Sequence, residues 1–236
     1  MKDIIAYKSN ALIEASYKLT LQEQRLLLVC IGKLNPLEIN PNKTFQITSQ
    51  EFFNAFPDMG KENAERDLMS AIEKLWDRSI IIKHDNIKEE FRWIQYKAQY
   101  LTGKGKAKIT FSDAIIPYLS QLSGQFTRII VKNVSKLSSS YSIRIYELLQ
   151  QFKTTGNRKI QLDHFRSILD IQDKYKTFKS LNQLLLKPAI QELNEKSDLT
   201  VTVIPIRNGR KVIALDFSFS QDKSIKISTK NKKTFK

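Results

Sequence analysis

Ala71-Ile72-Glu73-Lys74-Leu75-Trp76-Asp77-Arg78-Ser79 returns as Ala189-Ile190-Gln191-Glu192-Leu193-Asn194-Glu195-Lys196-Ser197, 118 residues further along the chain. At the same shift Lys18-Leu19-Thr20 becomes Lys136-Leu137-Ser138, again ahead of a helical run. Between these anchors both halves read as helix, short strand, helix, long helix and then β-rich sequence. This order predicts an α+β chain of two tandem winged helix-turn-helix domains related by an internal repeat. Two such units on a basic chain imply binding to a duplex DNA site rather than turnover of a substrate.

The 236 residues suffice for two small cores, and the hydrophobic content of 41% is that of a folding chain. The formal charge of +15 is uneven: residues 1–150 hold 21 basic and 16 acidic side chains, residues 151–236 hold 18 and 8. Such an excess suits the phosphates of nucleic acid or an anionic membrane surface, with simple solubility as the plain alternative. No run approaches the ~18 apolar residues of a membrane span, and the charged N-terminus lacks an apolar signal core. The single cysteine, Cys30, excludes an internal disulfide and fits a reducing cytoplasm.

In the first half Thr20 or Ser16 caps a helix through Leu21–Ile31, stopped by Gly32 and Asn35-Pro36. Thr44–Thr48 alternates as a strand, Gln50–Ala55 is a brief helix, and Lys61–Asp77 carries Leu68, Ile72 and Leu75 on one face. Ile80–Lys83 and Phe91–Leu101 read as strands around the polar turn His84–Glu90, which is the expected wing. Gly103-Lys104-Gly105-Lys106 opens a connector holding a strand (Ala107–Phe111), a short helix (Ala114–Gln121) and another strand (Phe126–Val131). A boundary is expected within Asn133–Ser140.

The second half starts with an amphipathic helix, Tyr141–Leu149. Lys159–Leu162 repeats the short strand, and Asp163 is expected to cap His164–Leu169. A long helix from about Tyr175 buries Phe178, Leu181, Leu185 and Leu186 and should kink or restart at Pro188. Leu199–Ile206 and Lys211–Phe219 form a hairpin whose Asn208-Gly209 predicts a type I′ turn. The expected domains are 1–132, with DNA-backbone or protein contact, 133–220, the main DNA reader, and a basic tail, 221–236.

A winged helix lays its third helix in the major groove and touches backbone or minor groove with its wing. The candidate DNA-binding residues of the second unit are therefore Lys174, Lys176, Lys179, Ser180, Asn182, Gln183 and Lys187 on the helix and its approach. Arg207, Asn208, Arg210 and Lys211 join them on the wing. Lysines neutralise phosphates, and Asn and Gln pair with adenine edges. In the first unit Asn63 and Arg66 are candidates on a face of mixed charge, with Glu62, Asp67, Glu73 and Lys74 close by. No catalytic, metal or cofactor site is implied. His84 and His164 have no neighbour at metal-ligand spacing, the glycine–lysine connector lacks the phosphate-loop pattern, and the carboxylates show no paired spacing.

Asn10-Ala11-Leu12-Ile13-Glu14-Ala15-Ser16-Tyr17-Lys18-Leu19-Thr20-Leu21-Gln22-Glu23-Gln24-Arg25-Leu26 resembles the entry segment of theta-type, iteron-binding plasmid replication initiators of bacteria. Ser140–Leu149 resembles the first helix of that family's second domain, and Phe178–Asn194 its recognition helix. The resemblance implies two winged-helix domains that bind direct repeats at a plasmid origin. It implies opening of the origin with host proteins, the host initiator and the replicative helicase. It further implies a homodimer that represses its own gene, in equilibrium with a monomer that binds the repeats. Members often carry more basic residues where this chain has Asn182, Gln183 and Leu184, which points to a different repeat sequence. An outward Leu184 would contact a thymine methyl or pack on a neighbouring helix. The rival readings are a plasmid or phage transcription regulator built on the same folds and, remotely, a nickase or primase.

Overall fold

The computed structural model describes residues 3–84, 86–100, 105–122 and 124–221. The expected basic tail beyond 221, part of the glycine–lysine connector and Asp85 in the polar turn lie outside the described residues.

The chain enters through strand β1 (Ile5–Ser9) and helix α1 (Asn10–Glu14), capped by the Ser9 hydroxyl. Helix α2 (Leu21–Ile31) starts with a capping box, Thr20 accepting from the Glu23 N–H while the Glu23 carboxylate accepts from the Thr20 N–H. Strand β2 (Thr44–Thr48) leads into α3 (Ser49–Ala55), which carries a second capping box from Thr48 and Glu51. After two 3-10 turns, α4 (Ala64–Trp76) buries Ala64, Leu68, Ala71, Ile72 and Leu75 at helical spacing.

Next come β3 (Ser79–His84), β4 (Ile87–Arg92), β5 (Ile94–Gln99) and β6 (Lys106–Phe111). Here the expected wing is corrected. His84 and Ile87–Glu90, expected in a polar turn, are strand residues of β3 and β4, which pair as a separate two-stranded hairpin, whereas β5, β6 and β2 form a three-stranded sheet in the order β2-β6-β5. The expected strand Phe91–Leu101 is broken at Trp93, which is fully buried and edge-on to Tyr17. The wing of the first unit is thus β5–β6, and Ala107–Phe111 is its return strand rather than a connector. A 3-10 turn (Asp113–Tyr118) and β7 (Phe126–Ile130) follow, and β7 pairs antiparallel with β1.

Helix α5 (Val131–Val134) precedes α6 (Ser140–Gln150), β8 (Asn157–Gln161) and α7 (Leu162–Ile168). The N-cap of α7 is Gln161, so Asp163 lies inside the first turn and is not the cap that the sequence suggests. Helix α8 (Phe178–Leu181), a π turn (Asn182–Leu186) and α9 (Lys187–Lys196) then run on without a break. The start at Phe178 follows from its cap, the Thr177 hydroxyl accepting from the Ser180 N–H.

The disturbance expected from Pro188 takes the form of that π turn, closed by the Lys187 N–H on the Asn182 carbonyl. Pro188 has no N–H for the Leu184 carbonyl and would crowd it in a regular α-turn, and the wider turn relieves the crowding. Strands β9 (Leu199–Asn208) and β10 (Lys211–Gln221) complete a second sheet, ordered β8-β10-β9. Their loop is Gly209-Arg210, since Lys211 pairs with Asn208. Among these residues only Gly209 has positive φ (56°), so the type I′ turn, which needs two such residues, is not formed.

Both units therefore share one plan: helix, strand, helix, recognition helix and wing, with the last strand central in each sheet. The β3–β4 hairpin is the insertion that distinguishes the first. The repeat's core positions coincide, Ala71 with Ala189 and Leu75 with Leu193, all buried.

Helix α6 is buried on every side, packing on α9 of its own unit and on α1, α2 and β7 of the other. At this junction the Lys8 ammonium of β1 lies 2.6 Å from one Glu147 oxygen, and the Arg144 guanidinium 2.9 Å from the other. Arg144 also donates to the carbonyls of Ile13 and Ala15 and to the Tyr17 hydroxyl, and lies over the Tyr17 ring. Burial alone would raise the Glu147 carboxyl, but the two cations outweigh it and hold it below the usual carboxylate range. Beside it Glu14 accepts from Arg158 at 2.5 Å and lies 2.9 Å from the His164 ring. The two units are thus held together by these charge-assisted bonds and by the packing of α6.

Candidate nucleic-acid interface

The α8–α9 helix presents two outward rows. Lys179, Gln183 and Lys187, four apart in sequence, form one exposed row, and Ser180 and Leu184 the next. Across from them stands the β9–β10 wing, with Arg207, Asn208, Arg210 and Lys211 exposed at its tip. Helix and wing enclose a groove of about 770 Å³ whose lining includes Lys176, Lys179, Asn182, Arg207, Arg210 and Lys211. Six of the residues expected from sequence thus meet in one place. No acidic side chain except Asp163 lines it, so the groove is a cationic trough.

Lys174 lies exposed on the approach to the helix, with its carbonyl turned back into the loop. Ser180 is half-buried, and its hydroxyl donates to the Thr177 carbonyl, so it serves the helix start. Arg207 donates to the Arg210 carbonyl at 3.2 Å, which steadies the two-residue turn and leaves the rest of its guanidinium facing out.

Asn63 and Arg66 are not brought to this groove; both belong to the first unit. The Asn63 amide donates to the Met59 carbonyl at the entry to α4, and Arg66 forks onto the neighbouring Asp67. Further along α4, Glu73 accepts from Lys97 and Gln99 on β5. The first unit's recognition helix and wing are thus tied to each other by an ion pair, whereas those of the second stand apart with their cations open.

Arg166 is absent from the sequence reading. From α7 its guanidinium donates to the carbonyls of Lys174 at 2.8 Å and Tyr175 at 2.7 Å, with Ile171 at 3.5 Å, while its side chain lines the groove. It clamps the loop that carries Lys174 and Lys176, a loop whose Asp170 and Tyr175 both hold positive φ (51° and 48°). No local pattern announces this, because the partners are backbone carbonyls. Arg166→Ala is expected to weaken DNA binding about tenfold by loosening the loop. Arg166→Lys should fail to restore it, since a point ammonium cannot bracket two carbonyls as the planar fork does. Full rescue by lysine in a titration of labelled duplex would contradict the clamp.

Among the described residues no group of three or more His, Cys, Asp or Glu is placed to hold a metal, and no helix is long and apolar enough to cross a membrane.

Comparison with known proteins agrees with this plan. A "Replication initiation protein" of Escherichia coli is 32% identical over 238 residues, covering 97% of this chain and 73% of that protein. An "Uncharacterized 27.6 kDa protein" of Escherichia coli is 25% identical, over 84% of this chain and 88% of its own length. The crystal structure of the Pi initiator protein in complex with iteron DNA superimposes with a TM-score of 0.81 at 21% identity, over 95% of this chain and all of that one, a likeness of fold. The model described as "Initiator Replication protein, WH1" matches residues 5–150, and that described as "Initiator Rep protein, WH2" matches residues 161–219. With both of its winged-helix domains accounted for, the chain belongs to the family of initiator replication proteins.

Proposed function

We propose that this protein initiates plasmid replication by binding double-stranded direct repeats at the origin, as a binder and not an enzyme, in the bacterial cytoplasm. The observation that carries the reading is the cationic groove between the α8–α9 helix and the β9–β10 wing, with amide side chains on the helix between lysines. Lys176, Lys179 and Lys187 neutralise phosphates, Asn182 and Gln183 face base edges, and Arg207, Arg210 and Lys211 follow the flanking backbone. That a solved relative of this fold is the Pi initiator bound to iteron DNA supports the same reading.

Residues 133–220 act as the main reader, with α6 counted in that unit because it packs on α9. Residues 1–132 supply a second, weaker contact through Asn63 and Arg66, and the face on which a homodimer forms in equilibrium with the DNA-loading monomer. The largely neutralised α4 surface suits that protein contact. Two readers fixed on one body raise each other's effective concentration and lengthen the recognised site. Repression of the protein's own gene and recruitment of the host initiator and replicative helicase belong to the same proposal.

Gln183 is the direct test of base reading. Gln183→Ala is expected to cost about 1–3 kcal/mol at one base pair of the site and little at the others. The measurement is competition binding against single-position variants of a duplex selected by the protein from a random pool. Equal losses at every position would reject base readout by this side chain.

A further inference from the structure

Leu184 is the apolar side chain on the outward face of the recognition helix, and it is 67% exposed. Its neighbours Leu181, Leu185 and Leu186 are buried, as is Ala189. In a regular α-helix Leu181 and Leu184, three apart, would lie near one another on the same flank. Across the π turn at Asn182–Leu186 the flanking leucines keep their core contacts while Leu184 stays outside the core. A surface that otherwise offers Lys179, Gln183 and Lys187 thus has one large branched hydrocarbon held on a well-packed backbone. Isolated surface leucines are common, but this one follows Gln183 directly, four residues after Ser180 and three before Lys187, on the flank of the outward face that turns toward Tyr141, Pro188 and Glu192 and away from the wing.

We infer that Leu184 is a specificity-determining residue that contacts the 5-methyl group of a thymine in the major groove. This rests on the proposed DNA-binding reading. The thymine methyl is the major-groove feature that a leucine can recognise, since the other base edges there present hydrogen-bonding groups that a leucine would leave unpartnered. The lysines on either side hold the phosphates, so the hydrocarbon is pressed against the base edges and shielded from water.

The test uses the full chain and a duplex that it selects from a random pool. Each thymine in the selected site is replaced in turn by deoxyuridine, which has the same hydrogen-bonding edge and lacks only the methyl. Wild-type protein is expected to bind one such duplex about fourfold more weakly, the worth of one buried methyl. Leu184→Ala should bind the thymine and deoxyuridine forms of that position equally while keeping its response to changes elsewhere. Because the readout is a ratio on one protein preparation, a loss of folded fraction cancels. If no deoxyuridine position weakens wild-type binding, or if every such effect persists in Leu184→Ala, the inference is wrong. If no duplex is enriched from the pool, the DNA-binding reading itself fails.

Discussion

Exchanging Lys176, Lys179 and Lys187 together for alanine is expected to lower DNA affinity by roughly 500-fold at 0.1 M salt, with the loss fading toward 1 M. Each lysine that sits on a phosphate releases about one counterion and adds ~0.9 to the slope of log affinity against log salt, so three should flatten that slope by about 2.7. All three side chains are exposed, and none carries a hydrogen bond that holds the fold. The variant should therefore unfold at the same urea concentration as the parent, and the arginine triple variant should keep the parental slope. Isotherms at four or five salt concentrations measure both quantities. An unchanged slope in the alanine variant would remove these lysines from the interface, whatever the change in affinity.

The second large effect belongs to the junction between the units. Glu147→Gln keeps the shape of the side chain but leaves Lys8 and Arg144 buried with no counter-charge. Breaking one side of a buried ion network costs about 3–5 kcal/mol, a large share of the 5–15 kcal/mol typical of a folded domain. Lys8→Met should cost less, because Glu147 keeps Arg144 at 2.9 Å. Urea denaturation of the three proteins at pH 7 ranks them, and a Lys8→Met protein less stable than Glu147→Gln would contradict this balance of charges.

A dependence on pH follows with a definite sign. The folded Glu147 carboxyl sits below its ordinary value, so its contribution is fully present above the unfolded value near pH ~4.3 and is lost as pH falls through the depressed folded value. The parent should lose stability in that acid window, and Glu147→Gln should lose less across it. The consequence for function is positional. Lys8 and Tyr17 belong to the first unit and Arg144 and Glu147 to α6 of the second, so this network fixes the position of one unit against the other.

What the sequence disclosed and what it concealed divide along the range of the interactions. Helices α2, α4 and α6 were legible because caps and buried periodicity are local: Thr20 with Glu23, or Leu68 with Ile72 and Leu75. The repeat was legible because the same small and large core positions recur, Ala71 and Leu75 against Ala189 and Leu193. The first wing was misplaced because the polar turn at His84–Glu90 has the local character of a wing tip. The actual assignment depends on β6 pairing with β2, Thr110 opposite Thr44, across 66 residues. Strand β1 escaped notice for the same reason, since its partner β7 is more than a hundred residues away.

In the candidate site the exposed cations could be named from helical spacing and the Asn-Gly hairpin signal. That five of them line a single groove together with Asn182, and that Arg166 braces the loop feeding it, could not, because both depend on how α7, α8 and β9–β10 pack together. Leu184 was legible as an outward residue, with Leu185 and Leu186 inside, and Pro188 foreshadowed a disturbance; that the helix runs on unbroken through a π turn depends on the packing around it.

The claim that the rest serves is that the protein loads on tandem direct repeats. Footprinting the purified chain on DNA flanking its own gene, over a range of protein concentrations near physiological salt, tests it most directly. The account predicts protection of several directly repeated sites at regular spacing, each filled by a single chain. Protection of one inverted repeat by a dimer, with no direct repeats occupied at any concentration, would contradict it and identify a transcription regulator instead.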